Sequence, residues 1–287
     1  MVDKKISFYG IGALGSSLAK ALYDQQIEVT SLFNRSVQPV RSISGELDNC
    51  SFATEITANS AVGDILFLTV SDDVIASLAR QLANVAINWS DKVVVHCSGV
   101  LTSSALGPLK TQGASVASFH PLQTFSGKKP DAFNDIYFSL EGDEAAKPDL
   151  YEIAKLLSAR AISIEAEDKA LLHAAAVMAS NYLATLMQES SEIASQGSID
   201  PSVALQMLEP LVKETTANIF KKGPAEALSG PIARGDCETI LHHLRLLENS
   251  GKDAKLYKQL GLATCNLAEK KSGVNPNQLK KVRGLFT

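Results

Sequence analysis

Several things are scarce in this chain of 287 residues, and each scarcity removes a class of function. There is one tryptophan and there are four cysteines, Cys50, Cys97, Cys237 and Cys265, with no CxxC pair among them. Scattered thiols build neither a zinc site nor a disulfide framework and read as reduced cysteines of a cytoplasmic protein. Positive charge is not in excess: 27 Lys and Arg stand against 31 Asp and Glu, for a net charge of −4. A protein that holds nucleic acid needs a basic footprint, so nucleic acid is not expected as a partner. No uninterrupted apolar run approaches the roughly 20 residues of a membrane span, and no membrane is expected. The start, MVDKKISFYG, enters a strand at once without the pattern of a signal peptide. Internal repeats and low-complexity tracts are missing as well. Histidine is sparse, at five, and no histidine pair has a spaced carboxylate to complete a metal site.

What is present is a change of texture. Residues 1–165 alternate short β-branched runs with helical stretches. Strands are predicted at Ile6–Tyr9, Glu28–Phe33, Ile65–Val70, Lys92–His96, Ser115–Phe119, Ile136–Leu140 and Ala161–Ile164, and helices at Ala13–Gln25, Asp72–Leu82 and Asp143–Ser158. The run ILFLTV is almost wholly apolar, as suits a parallel strand covered on both faces. This rhythm predicts a doubly wound, mostly parallel α/β sheet. From residue 166 to 287 alanine, leucine and lysine dominate. Helices are predicted at 167–195, 201–221, 236–249, 253–272 and 275–282. Pro201, Pro224 and Pro276 suit first turns, and Gly197, Gly223, Gly251 and Gly273 suit helix ends. The expected organisation is a dinucleotide-binding domain over 1–165 and an all-α substrate and dimerisation domain over 166–287.

The strongest motif is KISFYGIGALG, which sets Gly10, Gly12 and Gly15 in G-x-G-x-x-G between a strand and a helix. Gly10 permits the tight turn, Gly12 lets a pyrophosphate approach the backbone, and Gly15 lets helix and strand pack closely. The loop Gly10, Ile11, Gly12, Ala13, Leu14 and Gly15 is therefore the candidate phosphate cradle, with helix N–H groups facing the anion. The second strand ends in LFNRS. An NAD site usually carries a carboxylate there, and Asn34, Arg35 and Ser36 stand instead. A carboxylate repels a 2′-phosphate, whereas a guanidinium pairs with it. NADP is thus expected over NAD, unless Arg35 stacks on the adenine without reading the phosphate.

In such sheets ligands lie beyond the carboxyl ends of the strands. TVSDD, HCSG and SFHPLQTF end three successive strands, bringing Ser71, Ser98, Gly99 and His120 towards the nicotinamide position, with Gln123 and Thr124 offering neutral hydrogen-bonding groups to a substrate. Asp72 reads as a helix N-cap. His96, inside a strand, reads as a satisfied core imidazole, and His242 as exposed. The segment EDKALLHAAAVMASNYLATLMQES forms an alanine-rich helix on whose wheel Lys169, His173 and Ser180 share a stripe, with Asn181 alongside. Such a stripe faces solvent or a polar cleft, and its uncharged His, Ser and Asn favour a cleft. In LSGPIARGD, Asp236 suits an N-cap, and Arg234 sits in a loop where it clamps an anion or lies exposed.

GIGALG with FNRS, then TVSDD, HCSG, SFHPLQTF, HAAAVMASNY and SGPIARGD together resemble Rossmann-like proteins with a helical C-terminal domain of unknown function. These are similar to pyrroline-carboxylate reductases, prephenate dehydrogenases and β-hydroxyacid dehydrogenases. The resemblance spans nearly the whole chain. It implies a Rossmann domain, an NADP-type cofactor and a homodimer formed through the C-terminal helices, and it supplies no substrate. One departure matters: β-hydroxyacid dehydrogenases carry a Lys-xxx-Asn pair on the first helix of the second domain, and here Lys169 is followed by His173. The expectation is an oxidoreductase that passes hydride between nicotinamide and a C=O or C=N carbon of a small, carboxylate-bearing substrate. His120 or His173 is the candidate acid/base. Asn181 orients the reacting group, while Gln123, Ser180 and Arg234 bind substrate. The alternative is an NAD(P)-binding regulator without turnover.

Overall fold

The computed structural model describes residues 4–36, 43, 45–127, 129–251 and 254–287. They form two compact units, residues 1–179 and residues 180–287. In the first unit lie the strands β1 (Ile6–Tyr9), β2 (Val29–Phe33), β3 (Ser51–Ala53), β4 (Ile65–Leu68), β5 (Val93–His96), β6 (Ser115–Pro121), β7 (Tyr137–Gly142) and β8 (Arg160–Ser163). Its helices of eight residues or more are α1 (Ala13–Asp24), α2 (Asp72–Ala83), α3 (Lys147–Leu156) and α4 (Asp168–Ala179). The eight strands make one sheet in the order β3-β2-β1-β4-β5-β6-β7-β8. All pairs are parallel except β6 with β7. Because right-handed crossovers put helices on both faces, the central strands are covered twice. Every residue of β4 and of β5 is buried, and each such large apolar side chain contributes about 1.5–3 kcal/mol.

The mostly parallel sheet followed by a helical region is the predicted fold class. Two local expectations are corrected. The strand starting at Ser115 does not stop at Phe119: it runs through His120 and Pro121, because β7 lies antiparallel beside it and pairs His120 with Ser139 and Pro121 with Phe138. Phe119 and Phe138 stack across that pair at 4.1 Å. Asp72 is not the N-cap of its helix. Ser71 holds that position in extended conformation, with no side-chain capping bond, and Asp72 is the first helical residue. The edge strand β3, fully exposed and three residues long, is too short to show a period.

The predicted helix 167–195 breaks at Ser180, where the backbone departs to φ −115° and ψ −67°, and resumes as α5 (Asn181–Ala194). By length and composition only, Asp168–Ala194 is long and apolar enough to cross a membrane. Its first turn, however, carries Lys169, 1% exposed and hydrogen-bonded to β5–β6 backbone and side-chain groups, so this end is docked on protein. That anchorage also places α4 with the first unit, past the composition change at Glu165.

The second unit holds α5, α6 (Pro201–Lys222), α7 (Pro224–Ala227), α8 (Pro231–Arg234), α9 (Cys237–Asn249), α10 (Lys255–Ala268) and α11 (Pro276–Arg283). Asp253, expected to open α10, lies outside the described residues. Pro201, Pro224, Pro231 and Pro276 sit in first turns, where the missing N–H has no partner to lose, while Pro210 lies inside α6. Asp200, Asp236 and Asn275 accept hydrogen bonds from the next turn as N-caps. The core gathers Ile240, Leu244, Leu247, Cys265, Val282 and Phe286.

Candidate functional site

The glycine loop joins β1 to α1, and its three glycines have three different surroundings. Gly10 has φ +104°, a conformation that favours glycine, and a Cβ there would lie 2.8 Å from Thr69 backbone. A Cβ on Gly15 would lie 2.1 Å from the Gly10 carbonyl oxygen and 2.6 Å from Thr69 Oγ1. Around Gly12 there is no atom within 4 Å of that position. So Gly10 and Gly15 are small because protein packs on them, and Gly12 is small beside open space. That space belongs to a cavity of about 520 Å³ lined by Gly10, Ile11, Gly12, Asn34, Arg35, Ser36, Thr69 and Ser71, among others. Among the described residues, the backbone N–H groups of Gly12, Ala13 and Leu14 meet no acceptor. Free amides at the start of a twelve-residue helix, beside an open glycine, fit a pyrophosphate.

Asn34 has a job that the sequence did not reveal. Its Oδ1 accepts the Ile11 N–H at 2.9 Å, and its Nδ2 donates to the Ser36 carbonyl at 2.7 Å. It ties the glycine loop to the end of β2, leaving Arg35 and Ser36 exposed at the rim. Arg35 makes no hydrogen bond or ion pair among the described residues. Ile11 and Leu14 serve the core: Ile11 is buried and Leu14 packs beside it. Thr69 was also missed. It donates to the Gly10 carbonyl at 2.5 Å, locking the turn, and a lone threonine after a strand gives no sequence signal for that.

Further along the same carboxyl edge, β5 and β6 carry the second cluster. His96 is fully buried: its Nε2 lies 3.0 Å from the Thr102 carbonyl and its Nδ1 accepts the Ser98 N–H. This is the expected satisfied core imidazole, and burial holds its pKa down. Ser98 Oγ accepts the N–H groups of Val100 and Leu101, and its carbonyl accepts Lys169 Nζ and Ser118 Oγ. Its side chain therefore shapes the turn that presents Gly99. A Cβ on Gly99 would lie 2.5 Å from His173 Nδ1 and 2.9 Å from His120 Nε2. The two imidazoles, from β6 and α4, meet edge to face with centroids 6.0 Å apart. His173 Nδ1 is buried without a hydrogen-bond partner, and such a group is expensive unless something comes to meet it. Burial, then the Lys169 charge, then His173, lower the pKa of His120 to about 4. At neutral pH it is an uncharged imidazole. Among the described residues no three His, Cys, Asp or Glu side chains cluster to hold a metal.

The remaining candidates are exposed. Gln123 turns its side-chain carbonyl to the Thr124 N–H at 2.8 Å, leaving its amide free. Ser180 and Asn181 stand in solvent at the start of α5. Arg234 is the last residue of the one-turn helix α8, not part of a loop, between Gly230 at φ +98° and Gly235 at φ +72°. Asp236 next to it caps α9 through Thr239.

Comparison with known proteins agrees with this layout. Residues 4–121 match a Rossmann-like domain, and residues 136–264 match a domain of unknown function, DUF2520. No curated protein matches the chain. Among solved structures, protein TM1727 from Thermotoga maritima is 27% identical, with a TM-score of 0.70 over 98% of each chain. BF3122 from Bacteroides fragilis, an inferred NADP oxidoreductase, is 23% identical, with a TM-score of 0.73 over 93% of this chain and 98% of its own. The reductive aminase from Aspergillus terreus, in complex with NADPH and ethyl levulinate, is 15% identical, with a TM-score of 0.68 over 99% of each chain. The last two likenesses are of fold.

Proposed function

We propose that this protein is an NADP-dependent oxidoreductase acting on a C=O or C=N carbon of a small, carboxylate-bearing substrate. The observation that carries the reading is the meeting of His120 and His173 over Gly99 on the sheet edge that also bears the glycine-loop cavity. A bound nicotinamide dinucleotide supplies or accepts the hydride. Gly12, Ala13 and Leu14 hold its pyrophosphate through backbone N–H groups, and Arg35 with Ser36 pairs with the 2′-phosphate. Asn34 keeps that rim in place. His120 or His173 would move the proton of the reacting oxygen or nitrogen, and His120, uncharged at neutral pH, would take it in the direction of substrate oxidation. The unpartnered Nδ1 of His173 and the free amide of Gln123 offer hydrogen bonds to the reacting group. Asn181, Ser180 and Arg234 are the residues we assign to the substrate from the helical unit, Arg234 to its carboxylate. The helical unit also forms the proposed homodimer.

The test is to incubate the protein with NADPH or NADH and a panel of keto acids and cyclic imines, following nicotinamide absorbance. Oxidation of NADPH in preference to NADH is expected. Arg35→Ala should raise the KM for NADPH about tenfold or more, the loss of a charge-assisted contact of roughly 1.5–3 kcal/mol, and should leave NADH little changed. Tight NADPH binding without turnover, indifferent to His120→Ala and His173→Ala, would instead identify a regulator that senses the nucleotide.

A further inference from the structure

Lys169 is a buried lysine at the edge of the candidate site, and no step proposed above uses it. Its ammonium donates to Ser118 Oγ at 2.7 Å and to the Ser98 carbonyl at 3.2 Å. Ser118 Oγ itself donates to the same carbonyl at 3.3 Å. One ammonium thus joins β6 and the turn after β5 to the first turn of α4. Both acceptors point the charge into the protein, and with the residue 1% exposed the amine has no path to a substrate. One helical turn on, at i+4, His173 lies on the same face of α4. Two residues after Ser118, on the same side of β6 by strand alternation, lies His120. One residue after Ser98 comes Gly99, against which both imidazoles rest. The three partners of this junction are therefore each next to one member of the histidine cluster.

We propose that Lys169 is the positioning residue of this site: it fixes the helix that carries His173 against β6, which carries His120, and the turn after β5, which carries Gly99, and it places a buried positive charge beside them. The assignment rests on the oxidoreductase reading for its meaning in catalysis, but its electrostatic part does not. The groups that act on His120 are Lys169 and His173 from α4, Asp72 from α2 and His96 from β5. Lys169 and the two histidines disfavour a proton on His120, and Asp72 favours one. The ammonium itself is weakened by burial and supported by Glu141, Cys97 and Asp72. Glu141 makes no ion pair with it among the described residues; its two carboxylate oxygens accept the N–H and the hydroxyl of Ser103, each at 2.7 Å. A buried cation with only neutral acceptors in contact acts on the nearest imidazole at low dielectric.

The experiment is a histidine side-chain NMR titration of the full chain, with exposed His242 as internal reference. In the wild type, His120 should titrate near 4. Lys169→Met keeps the aliphatic stem and removes the charge. Its His120 midpoint should rise by at least about one unit, while NADPH still binds and kcat falls more than KM changes. Lys169→Gln keeps a donor for Ser98 and Ser118. It should hold the fold if Lys169→Met does not, and it should show the same rise. A wild-type His120 that titrates at the ordinary imidazole value overturns the proposal, as does an unchanged midpoint in whichever variant folds. Absence of turnover in the wild type would count against the oxidoreductase reading and leave the titration result standing, so the two failures are distinguishable.

Discussion

Two glycines three residues apart make opposite demands. Gly12 has an extended backbone, φ −85°, that alanine adopts freely, and open space where the methyl would go. Gly15 has protein at 2.1 Å. Gly12→Ala should therefore melt like the wild type and lose at least about tenfold in NADPH affinity, because only a ligand uses that space. Gly15→Ala should lose about 1–3 kcal/mol or more of stability before any ligand is added. Thermal melts and a binding titration on both variants separate the two roles, and equal effects would refute the distinction. His120 gives a pH prediction. Its proton affinity is lower in the fold, near 4, than in the unfolded chain, near 6.5. Between those values the unfolded chain binds the extra proton, so stability is full above 6.5 and is lost as pH falls towards 4. The loss is on the order of 3 kcal/mol. Urea melts across this range should show it, and His120→Gln should flatten it. The glycines and both histidines could be read in the sequence, because each has a motif or a wheel position. Asn34 as a brace and Thr69 as a lock could not, since their partners lie 23 and 59 residues away.

At the scale of elements, apolar period and punctuation placed nearly every strand and helix of the first unit. The ends differ where a neighbour decides. β6 runs on through His120 and Pro121 because β7 offers an antiparallel ladder, and a proline at the close of a strand costs little. This matters for the site, since a strand holds an imidazole more firmly than a turn does. The stop at Ser180 inside an alanine-rich stretch has no glycine or proline to announce it. Caps were easier to read. Asp236 accepts the Thr239 N–H at 3.1 Å and its hydroxyl at 2.7 Å. Asp236→Ala should cost about 1 kcal/mol in a urea melt, fraying the start of α9. A loss within error would mean that packing, not the cap, sets this helix end.

At the scale of the whole molecule, the helical unit leaves much apolar surface in water. Val203, Met207 and Leu211 follow one another at i, i+4 and i+8 on α6, the last two 63% and 62% exposed. A stripe of that spacing is what helices present to another helix. Light scattering should give a mass about twice the 30.6 kDa of the chain, and Met207→Arg with Leu211→Arg should return the monomer. A monomeric wild type would rule out the homodimer. By itself the sequence determined the class of the sheet, the glycine cradle and the helical second part, because these depend on local period and on residue types within a few positions. Tertiary structure alone decided that His120 and His173 share one glycine, that Lys169 ties their supports together, and that Arg35 is exposed at the rim of the cavity. Those facts are distances between strand ends and a helix far apart in the chain, and a linear pattern carries no distance of that kind.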